Sequence, residues 1–276
     1  MRKIIHLSDT HIGYEDLGER FRCIVDNIIF VCSPAEEYVV LWTGDLVESA
    51  LDESNYKEAK AQKEKLEAAG FIVLVIPGNH DYGTGLFSSK KYVKLFKETF
   101  YLTSESGYVK LFKETFYGTG DVVYPKLDVI DDVAFIGLDT MAEEIHWYDR
   151  LWANGELGDE QLKRLDILLG EKSVQECAYR VVYMHHHPFN QFMLHELKDS
   201  EALGEELRKH RDAARVDALL FGHNHYGKKW NGTWDIARCY DAGSTTRKWN
   251  FAGYHRIIDL SKDPRLDYDG DFHCSY

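Results

Sequence analysis

With 276 residues, of which 44% are hydrophobic and 29% charged, the chain is long enough for one large domain or two small ones. Its formal net charge of −13 disfavours nucleic acid as a partner, so an anionic substrate would need local positive charge such as bound metal. The sequence has no run of about 18 apolar residues and no CxxC pair, which predicts a cytoplasmic protein without a membrane span.

Short apolar runs in the first third of the chain end abruptly at polar residues. Lys3–Leu7, Tyr38–Trp42 and Phe71–Ile76 are predicted strands. Tyr56–Ala69 is rich in Ala, Lys, Glu and Leu and is a predicted helix that ends at Gly70. This alternation of strands and helices indicates an α/β layered fold with a largely parallel first sheet.

A ten-residue segment, YVKLFKETFY, occurs twice, at Tyr92–Tyr101 and at Tyr108–Tyr117. Two copies are too few for a solenoid, which needs at least about three repeats. We therefore expect a helical surface insertion at about residues 86–120, lengthened by tandem duplication, within a single domain that spans residues 1–276. A lid beside a functional site is the alternative, because the insertion directly follows the polar motif Gly78–Asp81.

The second half of the chain is rich in predicted strands. The elements there are two strands within Val122–Leu138, a helix at Leu157–Leu169, strands at Arg180–Met184 and Ala218–Phe221, a hairpin across Trp230–Ile236 and a strand at Tyr254–Leu260. No Pro- or Ser-rich linker separates them from the first half, so they indicate a second sheet in the same domain.

Five short polar motifs stand at or just after predicted strand ends, where α/β folds build their sites. They are Asp9-Thr10-His11, Gly44-Asp45, Gly78-Asn79-His80-Asp81, His185-His186-His187 and Gly222-His223-Asn224-His225. Side chains two positions apart in an extended chain point the same way, so each D-x-H or H-x-H pair can reach one point. Imidazole and carboxylate ligands without thiolate favour Zn, Mn or Fe. Seven candidate ligands exceed the needs of one ion and predict two, about 3.5–4 Å apart, bridged by a shared carboxylate.

On these motifs the chain resembles the calcineurin-like metallophosphoesterase superfamily, from Asp9 to His225. The resemblance implies a four-layer α-β-β-α sandwich of two mixed sheets flanked by helices, with a dinuclear centre of divalent or trivalent ions such as Mn, Fe or Zn. The ligands it implies are Asp9, His11 and His225 for one ion, Asn79, His185 and His223 for the other, and Asp45 as the bridge between them.

The resemblance also implies roles for residues beside the ions. His80 would contact the phosphate and assist the leaving group, and Asn79 would help to hold the substrate. A protonated His80 needs a carboxylate partner, which either Glu48 or Asp81 could supply. Asp45, as the bridge, completes the predicted catalytic set of His80, Asp45 and Glu48.

The three consecutive histidines raise the question of which one is a ligand. The other predicted ligands are the first polar residues past their strands, so by the same rule His185, which directly follows Met184, is the ligand. His186 would point to the opposite face if the strand continued. His187 precedes Pro188, is expected to be extended, and would line the site as a substrate-binding residue.

The function predicted from this set is hydrolysis of a small phosphate ester by a hydroxide that two metals activate. The resemblance is closest to class III cyclic-nucleotide phosphodiesterases, which share segments like Leu138–Thr140 and Gly155–Leu157. A phosphomonoesterase or nucleotide pyrophosphatase of the same fold is the alternative. A nuclease would need a basic track, and a non-catalytic scaffold would be expected to have lost ligands, so both are disfavoured.

Overall fold

The computed structural model describes residues 3–82, 112, 115–117, 122–141, 154–189, 197–246 and 256–265. Over these ranges the elements are β1 (Lys3–Leu7), α1 (Leu17–Val31), β2 (Tyr38–Thr43), α2 (Glu53–Ala68), β3 (Ile72–Ile76), β4 (Lys126–Ile130), β5 (Val133–Gly137), α3 (Asp159–Leu169), α4 (Lys172–Gln175), β6 (Tyr179–Tyr183), α5 (Ser200–Lys209), α6 (Arg211–Ala214), β7 (Ala218–Phe221), β8 (Lys228–Lys229), β9 (Arg238–Asp241) and β10 (Arg256–Asp259). Short 3-10 turns occupy Ala35–Glu37 and Thr233–Asp235.

The strands form two mixed sheets. The first has the order β10-β1-β2-β3, in which β1, β2 and β3 are parallel and β10 is antiparallel to β1. The second has the order β4-β5-β6-β7-β9-β8, with β5, β6, β7 and β9 parallel and both edge strands antiparallel. The predicted α/β class and the largely parallel first sheet are therefore confirmed.

Alternating side chains along the first sheet divide the interior into layers. On β1, Ile4 belongs to the core cluster that contains Val182 of the second sheet, whereas Ile5 belongs to the cluster that contains Phe21 of α1. Full burial of such a side chain contributes about 1.5–3 kcal/mol relative to exposure. Helices α1 and α2 thus cover the first sheet, the two sheets pack together, and α3 and α5 cover the second sheet.

The predicted hairpin across Trp230–Ile236 is wrong in its limits. The paired strands are β8 and β9, with Lys228 opposite Asp241, and the residues between them form a loop around Gly232. Trp230 and Trp234 are partly buried against the core cluster that contains Leu203 of α5 instead of pairing as strand residues. Burial of these two indole rings outweighs the local strand pattern.

Among the described residues of the second copy of the duplicated segment, two phenylalanines are buried. Phe112 and Phe116 are helical and buried, and their rings lie 6.4 and 5.9 Å from the Tyr56 ring. The Tyr117 hydroxyl donates to the Val75 carbonyl at 2.7 Å. Aromatic residues four apart on one helix face explain this burial, which the expected surface insertion did not anticipate. The rest of the predicted insertion at 86–120 lies outside the described residues.

Within the described part of the chain, no helix is long and apolar enough to span a membrane. Cys32, Cys177 and Cys239 are buried free thiols, whereas Cys23 is disulfide-bonded. The odd cysteine count did not predict that bond, and the cytoplasmic location stays a prediction.

Candidate metal centre

The seven predicted ligands lie at the carboxyl ends of five parallel strands. Following β1 are Asp9 and His11, following β2 is Asp45, following β3 is Asn79, following β6 is His185, and following β7 are His223 and His225. Backbone hydrogen bonds tie these loops together. The amide of Asp9 donates to Gly44 O at 3.1 Å, and that of Gly222 donates to His185 O at 3.0 Å. The two sheets therefore present their ligands at one shared edge.

Most of the ligand loops adopt a backbone conformation that non-glycine residues rarely show. The residues with positive φ are Asp9 (51°), His11 (45°), Asp45 (49°), His223 (77°) and His225 (59°). Such conformations cost about 1–3 kcal/mol each and persist where the surroundings enforce them, typically at functional sites. The D-x-H and H-x-H pairs therefore converge through left-handed turns, and the expected extended geometry is wrong.

Two glycines allow the backbone to approach the carboxylate ligands. A Cβ atom added to Gly78 would lie 2.3 Å from Asp45 Oδ1, and one added to Gly222 would lie 2.4 Å from Asp9 Oδ2. Any larger residue would displace a ligand. Glycine at these two positions therefore permits close approach of the backbone to the site.

The first ligand group consists of Asp9, His11, Asp45 and His225, each of which offers one ligand atom within 4.8 Å of the others. Nε2 of His225 lies 3.1 Å from Nε2 of His11 and 3.3 Å from Oδ1 of Asp9. On the far side of the His11 ring, Nδ1 donates to Oε2 of Glu48 at 3.0 Å. This leaves the Nε2 lone pair of His11 directed at the group.

The second ligand group consists of Asp45, His185 and His223, with Asn79 beside them. Nε2 of His185 lies 3.3 Å from Asp45 Oδ2, 3.2 Å from His223 Nδ1 and 3.1 Å from Asn79 Oδ1. Asp45 therefore belongs to both groups, as the bridging prediction requires.

The chemistry of this donor set fits a cation. His185 Nδ1 donates to the Thr43 carbonyl at 2.8 Å, so in the neutral ring Nε2 carries a lone pair that faces Asp45 Oδ2 and Asn79 Oδ1. Burial lowers the pKa of His185, but the Asp45 carboxylate outweighs it and raises that pKa to about 9. Burial likewise opposes ionisation of Asp45, yet His185 holds its pKa well below the ordinary value. Both pKa shifts indicate that positive charge is favoured beside the Asp45 carboxylate, and bound metal ions would supply that charge. Because the two groups share Asp45, the arrangement is suited to two ions.

His80 lies beside the ligands. Its backbone amide donates to Asp45 Oδ1 at 2.9 Å, and its ring meets the His11 ring edge-on with centroids 4.7 Å apart. Nδ1 of His80 donates to the backbone carbonyl of Glu48 at 2.8 Å, and Glu48 Oε2 lies 3.8 Å from the same nitrogen. The Glu48 side chain thus contacts His11 more closely than His80.

Asp81, the alternative carboxylate partner for His80, contacts backbone amides. Its buried carboxylate accepts the backbone amides of Gly78 at 2.8 Å, Val47 at 3.1 Å and Leu46 at 3.2 Å. These bonds join the loop after β2 to the loop after β3. Of the two candidate carboxylates, only that of Glu48 has a described contact with the His80 ring.

The remaining two histidines of the run are both buried. Strand β6 ends at Tyr183, so the condition under which His186 would point to the opposite face is not met, and its ring packs against those of His185 and His223. His187 accepts the Phe189 amide at Nδ1 and meets the rings of Phe221 and Trp230, and burial lowers its pKa to about 4. Its substrate-binding role stays a prediction, which would require this aromatic cluster to open.

Sequence reasoning missed the polar segment after β9. The Ser244 hydroxyl donates to Asp9 O at 2.8 Å, and the Thr246 hydroxyl donates to Thr10 O at 2.8 Å. Thr245 and Ser8 exchange two further hydrogen bonds. The segment therefore holds the loop of the first ligand group. The segment lies just past a strand, as the predicted ligands do, and this position is the sequence signal that could have found it.

The sequence and the fold were compared with those of known proteins. The family model described as calcineurin-like phosphoesterase matches residues 2–227. A dimetal phosphatase from Danio rerio is 14% identical over 93% of this chain and 92% of its own, with a TM-score of 0.62. A Thermus thermophilus protein, TT1561, is 14% identical over 98% of both chains, with a TM-score of 0.54. At these identities the structural likeness shows the fold alone. No curated protein sequence gives a significant match.

Proposed function

Because the chain belongs to the calcineurin-like phosphoesterase family and is a metal-dependent phosphoester hydrolase, we propose that it cleaves a small phosphodiester. The observation that carries the proposal is the position of His80. Its amide is bonded to the ligand Asp45, while its ring is held by the backbone of Glu48. A side chain so placed touches the site from outside the ligand set.

Charge favours a diester over a monoester. Two divalent ions would bring four positive charges, and Asp9, Asp45 and Glu48 would offset three, leaving a local charge of about +1. The loop Gly44–Ser49 contains no lysine or arginine that could neutralise a further phosphate charge. A diester carries one negative charge, whereas a monoester carries up to two, so the diester matches this site better.

The residues of the chain then have separate tasks. Asp9, His11, Asp45, Asn79, His185, His223 and His225 would hold the ions, which when bound would act as Lewis acids on the ester and on water. His80 would protonate the leaving alkoxide, which is a poor leaving group without a proton. The Glu48 carboxylate, 3.8 Å from Nδ1 of His80, would help to orient that ring. Asn79 would help to orient the phosphate.

We further propose a cyclic nucleotide as the substrate class, in line with the resemblance to class III cyclic-nucleotide phosphodiesterases. Support comes from the segments Leu138–Thr140 and Gly155–Leu157, which carry the subgroup resemblance. In the structure, Gly155 and Thr140 both contact His186 behind the ligands. The net charge of −13 supports a small substrate over nucleic acid.

The test is a substrate panel with the purified chain, reconstituted separately with Mn, Fe or Zn. Bis(p-nitrophenyl) phosphate and cyclic AMP should be hydrolysed faster than p-nitrophenyl phosphate, and metal-free protein should be inactive. Asp45→Asn provides the inactive control. A monoester turned over faster than every diester would replace this proposal with the phosphomonoesterase alternative.

A further inference from the structure

His186 occupies an enclosed position directly behind the second ligand group. The residue is fully buried, and its ring centroid lies 4.4 Å from that of His223 and 5.1 Å from that of His185. It is absent from both ligand groups. His186 is therefore buried against two predicted ligands without being one, and the ligand assignment does not explain its role.

Thr140 holds the His186 ring from the strand side. Its buried hydroxyl oxygen lies 2.7 Å from His186 Nδ1 and accepts the His186 backbone amide at 3.4 Å. The hydroxyl and Nδ1 share a hydrogen bond, whose direction depends on the tautomer of the ring. One threonine thereby fixes both the backbone and the ring orientation of His186.

Gly155 lies against the Cγ–Nδ1 edge of the ring. A Cβ atom added there would lie 2.5 Å from His186 Cγ and 2.9 Å from Thr140 O, closer than side chains tolerate. The backbone of Gly155 is itself fixed, because its carbonyl accepts the Lys198 amide at 2.9 Å and the next amide, of Glu156, donates to Thr140 O at 2.7 Å. A side chain at position 155 would therefore clash with the His186 ring, whereas glycine does not.

His223 differs from the other ring ligands in how its orientation is set. His11 and His185 direct Nε2 at their groups, and their Nδ1 atoms donate to Glu48 and to the Thr43 carbonyl. His223 directs Nδ1 at its group, 3.2 Å from His185 Nε2. The His186 ring packs against the His223 ring at an interplanar angle of 42°. Ring packing against His186 therefore contributes to the orientation of His223.

We propose that His186 is a positioning residue for His223. Thr140 and Gly155 fix the His186 ring, and that ring fixes the side-chain orientation of His223, so the second ligand group is preorganised for its ion. The proposal rests on the dinuclear site and not on the identity of the substrate. It also resolves the histidine run, in which His185 binds the ion and His186 orients its co-ligand.

The test is calorimetric titration of metal-free protein with Co²⁺, followed in parallel by the visible d–d absorption of the bound ion. Wild type should show two binding events, and His185→Ala and His225→Ala identify which event belongs to the second and which to the first group. In His186→Ala the second-group event should weaken about 10–100-fold with an altered d–d band, because supporting partners of metal ligands typically contribute that much. The first-group event should be unchanged.

Two milder variants keep the test decisive if His186→Ala folds poorly. Thr140→Val removes the hydroxyl, and Gly155→Ala crowds the ring, so both should weaken the second-group event selectively. Thr233→Val is the matched control, since its hydroxyl donates to Trp230 O at 2.8 Å outside the ligand groups. Unchanged second-group affinity in His186→Ala, Thr140→Val and Gly155→Ala would overturn the positioning role. Equal weakening of both binding events, with a lower melting temperature, would overturn it as well. A wild type that binds both ions without hydrolysing any diester would instead refute only the proposed function.

Discussion

The two halves of the metal centre share Asp45 but are built differently. The first group adds a second carboxylate, Asp9, and has Glu48 behind His11, while the side chain of His225 is 48% exposed. The second group adds only neutral ligands, and the side chain of His185 is 0% exposed. The first group would therefore hold its ion mainly through carboxylate charge at an exposed edge. The second group would hold its ion mainly through buried ligands whose rings are packed in place.

This contrast predicts unequal behaviour of the two ions. Carboxylates close to a cation stabilise it directly, so the first group should bind its ion more tightly. The second group lies behind buried side chains, so its affinity should depend on how well those side chains are held in place. Because Asp45 belongs to both groups, its substitution should weaken the binding of both ions.

The largest effect is expected from Asp45→Asn. The amide has nearly the same shape but no charge, and Oδ2 lies 3.3 Å from His185 Nε2 and 3.9 Å from His11 Nε2. Both ions should lose affinity by more than the roughly 10–100-fold that loss of a supporting partner costs. Metal content by mass spectrometry and calorimetry measures this. Asp212→Asn, at a side chain that is 95% exposed, is the control. Two ions retained at unchanged affinity would contradict a bridge.

A smaller effect, confined to turnover, is expected from His80→Ala. Loss of a general acid should lower kcat about 10²–10⁴-fold for a diester with an alkoxide leaving group. Both ions should stay bound, because His80 contacts ligands of both groups without belonging to either. The loss should be much smaller with a p-nitrophenolate leaving group, which needs little protonation. Lys163→Ala is the control, since this side chain pairs with Glu160 on the surface and belongs to no candidate ligand cluster of the described residues. An emptied metal site, or equal loss for both leaving groups, would show that His80 is a ligand or a phosphate clamp.

Glu48→Gln addresses the charge of the first group alone. Glu48 Oε2 accepts from His11 Nδ1 at 3.0 Å, and a neutral amide makes His11 a weaker ligand. The first-group affinity should fall about 10-fold, with the second unchanged, while activity declines mildly through His80. Glu160→Gln is the matched control, because that glutamate pairs with Lys163 at 2.8 Å on the surface. Equal weakening of both ions would remove the distinction between the two halves.

Local patterns predicted the elements and ligands that depend on local sequence. The predicted limits of β1, Lys3–Leu7, match the structure, and all seven ligands lie at the shared sheet edge. Helix α1 was missed, although Leu17, Phe21 and Ile28 recur on one buried face. That pattern is present in the sequence, so helix α1 is predictable from local periodicity.

Other features depend on residues distant in the sequence and were beyond local reasoning. The two copies of YVKLFKETFY are identical, so nothing in them distinguishes the copy whose Phe112 packs 5.8 Å from the Tyr82 ring. Likewise, His187 precedes a proline at a strand end, as a site residue would. Its neighbours Phe221 and Trp230 come from more than thirty positions away and bury it. Tertiary packing decides both cases.

The smallest effect is expected from Ser244→Ala, which tests whether the open first group also depends on support from behind. The Ser244 hydroxyl donates to the carbonyl of Asp9 at 2.8 Å, and Asp9 has a φ of 51° that the surroundings must maintain. Losing this bond should cost about 1 kcal/mol, which corresponds to roughly a five-fold weaker first-group ion if the strain is released on that loop. The second-group event should not change, and Ser173→Ala, whose hydroxyl contacts Glu171 on the surface, is the control. Calorimetry on the metal-free protein separates the outcomes. A lower melting temperature with both affinities intact would mean that the segment after β9 only stabilises the fold. A selective five-fold loss would mean that the first half needs backbone support as well as charge, so the two halves would differ in the kind of support and not in its presence.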